Sequence, residues 1–267
     1  MPTRAALRAA VAAMLGAALL WACSPASSAR GTDLTIFAAA SLREVLEAVE
    51  PAYEEATNAT TLTIATDSSA ALATQIEQGA PADVFLSADT ANPQALVDGG
   101  FLSGDLVVFA ANALTIIVPA GNPAGITSPL DLAAHGVDVV TASDEVPITG
   151  YATQLVLNLA GEPGYPPDFA AAYARNVVSK EANVKAIVAK IELGEADAGI
   201  VYRTDAVASD GVTAIDVPAS ANVRASYAGV VVGASGRQDE ARAFLEWLVD
   251  SDGQAILASF DFLPPGP

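Results

Sequence analysis

The 267-residue chain has one cysteine, one histidine and 12 basic residues set against 31 acidic ones. A single cysteine, Cys23, excludes an internal disulfide. With His135 it also falls short of the three or four nitrogen and sulfur ligands of an ordinary zinc site. Any Ser-His-Asp chemistry would have to use His135, which the sequence sets in the loop Ala133-Ala134-His135-Gly136 as an exposed residue. No GxSxG elbow exists, since Gly233-Ala234-Ser235-Gly236-Arg237 breaks the pattern. Phosphate loops of the GxxxxGK[ST] and GxGxxG kinds are missing, as is an Asp-x-Asp loop with the full spacing of an EF-hand. The formal charge of −19 leaves no basic stripe to neutralise phosphates, so nucleic acid is excluded as a partner. Charged residues make up 16% and hydrophobic ones 52%, enough apolar surface for a large buried core.

The N-terminus is a targeting segment. Arg4 and Arg8 give a positive start, and Ala9–Leu20 an apolar run too short for a comfortable membrane span. Leu20-Trp21-Ala22-Cys23 follows, then a small, polar stretch. The arrangement resembles bacterial lipoprotein signals, although Trp21 is bulkier than their usual residue. Residues 1–22 are then the signal and 23–32 a tether, with Cys23 acylated and the chain held at the outer face of a membrane. The alternative is a plain secretory peptide cut near Ala22 or Ser28.

From there on, buried strand patterns alternate with amphipathic helical ones, which predicts an α/β fold. Leu34–Phe37 reads as a strand and Leu42, Val45, Leu46 and Val49 as one helix face, with Ser41 at the N-cap position. Thr61–Ala65 and Ala70–Gln78 repeat the unit, with Gly79 as its stop. Later helices are expected at Tyr151–Leu159, Val184–Leu193 and Asp239–Val249. Later strands are expected at Val137–Ala142, Ala198–Tyr202 and Tyr227–Val232.

Small or hydroxyl residues recur at the helix starts: Ser41, Ser68-Ser69, Ile148-Thr149-Gly150, and Val184 after Asn183. Each start offers unpaired N–H donors and the positive end of a helix dipole. If they converge on one cleft, they form a pocket of neutral donors for an oxyanion. Each serine taken alone is equally well an ordinary cap.

Phe37-Ala38-Ala39-Ala40-Ser41-Leu42, the run Gly79 to Asp89 (GAPADVFLSAD), Val146-Pro147, Tyr151-Ala152 and the run Gly199 to Ala206 (GIVYRTDA) resemble the periplasmic molybdate-binding proteins of ABC importers. The resemblance spans about Leu34 to Leu263. It implies a two-lobed type II periplasmic binding protein fold, each lobe a mostly parallel sheet flanked by helices, with two crossover strands. Residues 33–112 and 230–267 would form lobe 1, and 113–229 lobe 2. It further implies that Ser41 and Ser69 give hydroxyl and N–H, Ile148 and Val184 give N–H, and Tyr202 gives its phenol to molybdate or tungstate. No cofactor and no catalysis are implied; the partners would be the oxyanion, a membrane permease and the membrane itself through Cys23, with the protein a monomer. The segment Val146-Pro147-Ile148-Thr149-Gly150-Tyr151-Ala152 carries its glycine one place later than the family pattern, which adds a candidate hydroxyl at Thr149. Asp67, just before the serine pair, would repel an anion and is expected to point away as a cap. The alternatives are the same fold tuned to sulfate, thiosulfate or a small organic anion, an exported hydrolase using Ser41 or Ser69, and an adhesin.

Overall fold

The computed structural model describes residues 31–58 and 60–266. The expected signal segment 1–22 and Cys23, the residue expected to be acylated, lie outside the described residues. The first lobe opens with β1 (Thr32–Ala39), a 3-10 turn (Ala40–Leu42) and α1 (Arg43–Thr57). Two further strand–helix units follow: β2 (Thr60–Asp67) with α2 (Ser69–Glu77), and β3 (Val84–Ser87) with α3 (Ala91–Asp98). The long strand β4 (Leu102–Asn112) leads across to β5 (Leu114–Pro119) in the second lobe.

That lobe continues with β6 (Val139–Ala142), α4 (Pro147–Ala160), α5 (Phe169–Asn176), β7 (Val177–Glu181) and α6 (Val184–Glu192). It ends with β8 (Ala198–Tyr202), the short α7 (Arg203–Val207) and β9 (Val212–Ile215). β10 (Ala225–Val232) returns the chain to the first lobe, where α8 (Gln238–Val249) and α9 (Ser251–Ser259) finish it.

Each lobe is built on a five-stranded sheet, ordered β2-β1-β3-β10-β4 and β7-β6-β8-β5-β9. Each sheet is mostly parallel, four of its strands running one way and a single strand against them. β1 runs parallel to β2 and β3, whereas β10 is antiparallel to β3 and β4. Likewise β6 is parallel to β7 and β8, and β5 antiparallel to β8 and β9. The cause is topological: the strand that enters each lobe from the other, β10 or β5, inserts against the direction of the local strand–helix units. The lobe boundary moves accordingly. β10 pairs with β4 from Ala225 opposite Asn112, so the chain is back in the first sheet before residue 230. Asn222 sits at this junction, accepting the Leu114 N–H at 3.0 Å and donating to the Leu114 carbonyl at 2.9 Å.

Local chemistry accounts for the elements. β1 is buried on one face through Leu34, Ile36 and Ala38 and on the other through Phe37 and Ala39, as an apolar run in a helix-covered sheet demands. Against one face of the first sheet lie Val45, Leu46 and Val49 of α1 and Phe244, Leu245 and Leu248 of α8. Against the other lie Leu72 and Ile76 of α2 and Leu96 of α3, packed on Phe37 and Phe85. Each such side chain contributes about 1.5–3 kcal/mol on burial. α1 runs on through Pro51 to Thr57, further than the Leu42–Val49 face suggests, because Tyr53 anchors its last turns edge-on against Phe244. Gly79 and Gly194, at φ 86° and 68°, stop α2 and α6 in the left-handed conformation that glycine adopts without strain.

Candidate functional site

The parallel strands place their carboxyl ends on one cleft between the lobes, the usual ligand position of open α/β sheets. A small cavity there, about 210 Å³ with its mouth included, is lined by Ala39, Ala40, Ser41, Ser68, Ser69, Ala88, Val146, Pro147, Ile148, Asn183, Val184 and Tyr202. Ser41 lies two residues past β1 and Ser69 two past β2; Val184 opens α6 after β7, and Tyr202 ends β8. All five candidate residues therefore meet at one place, three from the second lobe facing two from the first. Among the described residues, none in the lining carries a charge.

The hydrogen bonds explain why these groups are free. In α2, Ser68 is the N-cap and its hydroxyl accepts the Ala71 N–H at 3.2 Å. In α6, Asn183 caps in the same way and accepts the Ala186 N–H at 3.1 Å. Each cap satisfies a donor deeper in the first turn and leaves the first one alone. In α4, Val146 offers no side-chain cap, and Pro147 stands at the first helical position. Among the described residues, the N–H groups of Ser41, Ser69, Ile148 and Val184 have no backbone acceptor.

Two serines are set up as donors by their neighbours. Ser69 Oγ accepts the Ala88 N–H at 3.0 Å, so its own proton is left to point elsewhere. Ser41 Oγ lies 2.9 Å from the Tyr227 OH; with the phenol donating, the Ser41 proton is free as well. Tyr202 is the most telling group. Its hydroxyl is buried, lines the cavity and has no hydrogen-bond partner among the described residues, which costs about 1–3 kcal/mol unless a ligand supplies an acceptor. Burial raises the pKa of Tyr202 and Tyr227 well above the usual phenol value, so both keep their protons.

Carboxylates surround the site without entering it. Asp67 Oδ1 accepts the Ser68 N–H at 2.7 Å and the Asn183 amide at 3.2 Å, and the residue is absent from the lining. It does point away, but the cap of α2 is Ser68. Behind the cavity, Lys185 Nζ is 2.6 Å from Glu44 and 2.7 Å from Asp205. Burial pushes the Asp205 carboxyl up to about 6, against the opposing pull of Lys185. Lys185 is drawn down by burial but held above its ordinary value by Asp205 and Glu44.

The sequence from residue 34 to 263 matches the family of bacterial extracellular solute-binding proteins. The chain belongs to that family. It is 35% identical to the molybdate-binding protein ModA of Mycobacterium tuberculosis, over 96% of each chain. Among solved structures it resembles the substrate-binding domain of a putative molybdenum ABC transporter from Clostridium difficile, at 28% identity and TM-score 0.66, covering 88% of this chain and all of that one. The sulfate-binding protein SubI of Mycobacterium tuberculosis shares the fold at 22% identity and TM-score 0.78, over 88% of each chain.

In this solute-binding protein several details depart from the sequence reading. Ser41 is not an N-cap: it lies within the 3-10 turn, α1 begins at Arg43, and the Ser41 hydroxyl engages Tyr227 instead. Thr149 donates to the Ala142 carbonyl at 2.9 Å and does not line the cavity. His135 is exposed and also lies outside the lining, so neither serine has it as a base there. Asp83 of the GAPADVFLSAD run is structural, accepting the Thr35 N–H at 2.8 Å and the Ser235 hydroxyl at 2.6 Å. Ala88 and Tyr227 were not legible as site residues. An alanine N–H leaves no side-chain signal, and Tyr227 acts through a residue 186 positions away.

Proposed function

We propose that this solute-binding protein captures molybdate or tungstate and delivers it to a membrane permease. The observation that carries the reading is the buried, unpartnered Tyr202 hydroxyl, facing a cavity whose helix starts present free N–H groups and whose lining is uncharged. Such a site solvates a fully deprotonated tetrahedral dianion: about seven donors, from Ser41, Ser69, Ile148, Val184 and Tyr202, surround four oxygens. Hydrogen bonds to a charged acceptor are worth roughly 1.5–3 kcal/mol each, and association takes back at least several. The remainder corresponds to a dissociation constant between about micromolar and nanomolar. The likeness to a protein named molybdate-binding, and to the substrate-binding domain of a molybdenum transporter, supports the choice of anion.

Size separates molybdate from sulfate, since a smaller tetrahedron cannot reach every donor at once. Hydrogen phosphate is disfavoured differently, because its proton needs an acceptor and the lining side chains and helix starts are disposed to donate. Calorimetric titration with molybdate, tungstate and sulfate in turn tests the assignment. Saturable binding of the first two with weak or absent sulfate binding supports it; tight sulfate binding with none of molybdate overturns it. The protein acts as a monomer tethered through acylated Cys23, a reading that rests on the sequence around that cysteine.

A further inference from the structure

Three consecutive residues at the start of α6 divide the work of closing the cleft. Val184 presents its N–H to the cavity, while the residues on either side reach across to the first lobe. The Asn183 amide donates to Asp67 Oδ1 at 3.2 Å, and Lys185 Nζ meets Glu44 at 2.6 Å. The partners flank the two serines: Asp67 stands two residues before Ser69, and Glu44 three after Ser41. The contacts Asn112–Thr204, Tyr151–Ser226 and Arg203–Asp261 also join the lobes, but Asn112 and Ser226 belong to the strands that lead into and out of the crossovers, where chain connectivity already holds them, and the Arg203–Asp261 pair is largely exposed. Asn183 and Lys185 have no such constraint.

We propose that Asn183 and Lys185 form a two-point clasp with Asp67 and Glu44 that holds the lobes closed and sets the Val184 N–H against the serines. Neither ion-pair partner touches the anion, so Glu44 and Lys185 are positioning residues. Asp205 prepares the clasp: it lies within the second lobe and holds Lys185 at 2.7 Å, so only the contact with Glu44 is made on closing. Three facts favour a clasp over an incidental surface pair. The Lys185 side chain is only 15% exposed, it is gripped from both lobes, and Asn183 repeats the crossing one residue beyond the donor.

The identity of the anion rests on the proposed function; the clasp itself does not. Glu44→Gln separates the two, since it takes the charge out of the contact between lobes and keeps Lys185–Asp205 intact. Small-angle scattering of the anion-free full chain should show a larger radius of gyration for Glu44→Gln than for the wild type. Stopped-flow displacement of bound molybdate should show its release accelerated about two- to tenfold, with association nearly unchanged. Lys185→Arg, which keeps the charge, should stay close to the wild type in both. Should Glu44→Gln fail to fold, Asn183→Asp takes its place. It retains the cap oxygen for Ala186, sets a carboxylate against Asp67, and should expand the anion-free protein. Scattering and release both equal to the wild type would overturn the clasp. If the wild type binds no molybdate, the proposed ligand fails and scattering alone judges the clasp: expansion supports it, no expansion overturns it.

Discussion

The oxygen of Ser69 accepts the N–H of Ala88 at 3.0 Å, and this one bond fixes what the serine can do next. With its acceptor side engaged by β3's following residue, the hydroxyl turns its proton toward the cavity. Ser41 Oγ lies 2.9 Å from the Tyr227 OH, and with the phenol donating it stands in the same relation. The site is thus a set of donors aimed in advance, with little reorganisation left for the moment of binding.

Removing either hydroxyl should weaken anion binding without unfolding the protein. Ser41→Ala and Ser69→Ala are each expected to lose about 1–3 kcal/mol, roughly five- to 150-fold in dissociation constant. Calorimetry reads the affinity and circular dichroism the fold. Unchanged affinity in both variants would remove these serines from the site.

Tyr202→Phe should move stability and affinity in opposite directions. The unpartnered buried hydroxyl opposes folding in the anion-free protein, so its removal leaves the melting temperature equal or higher. With anion present the same hydroxyl is a donor, and its loss weakens binding. A variant that melts lower and binds as the wild type does would contradict the assignment.

Asp205 should give the stability a pH dependence of definite sign. Its carboxyl is at about 6 in the fold, above the ordinary 3.8, so the folded chain takes up the proton first as pH falls. The stabilisation from this proton is complete below about 3.8 and is lost as pH rises through about 6. The melting temperature of the wild type, taken relative to Asp205→Asn at the same pH, should therefore rise between pH 7 and pH 4. A difference that stays flat, or falls, would contradict it.

Cys23→Ala should release the protein from the membrane fraction of cells that express it, and abolish labelling by a radioactive fatty acid. Continued labelling, or a wild type that is never labelled, would reject acylation at this residue.

Much of this was legible in the sequence because it follows from local chemistry. β1 and α1 announce themselves through an apolar run and the Leu42, Val45, Leu46 and Val49 stripe, and Gly79 and Gly194 end helices where glycine is needed. The convergence of Ser41, Ser69, Ile148, Val184 and Tyr202 was legible through a resemblance carried by linear motifs. What depends on distant chain crossings was hidden. The antiparallel insertion of β5 and β10 has no signature in their own residues, and Asn183 and Lys185 look like any cap and any exposed cation. Thr149 shows the converse: its hydroxyl beside Ile148 suggested a ligand contact, yet the Ala142 carbonyl takes it.

The most direct test of the account is a crystal structure of the protein grown with molybdate. The account places one anion in the cavity, with its oxygens about 2.7–3.2 Å from the Ser41, Ser69 and Tyr202 hydroxyls and the Ile148 and Val184 N–H groups. An anion held by arginine or lysine side chains, or bound away from these helix starts, would contradict it.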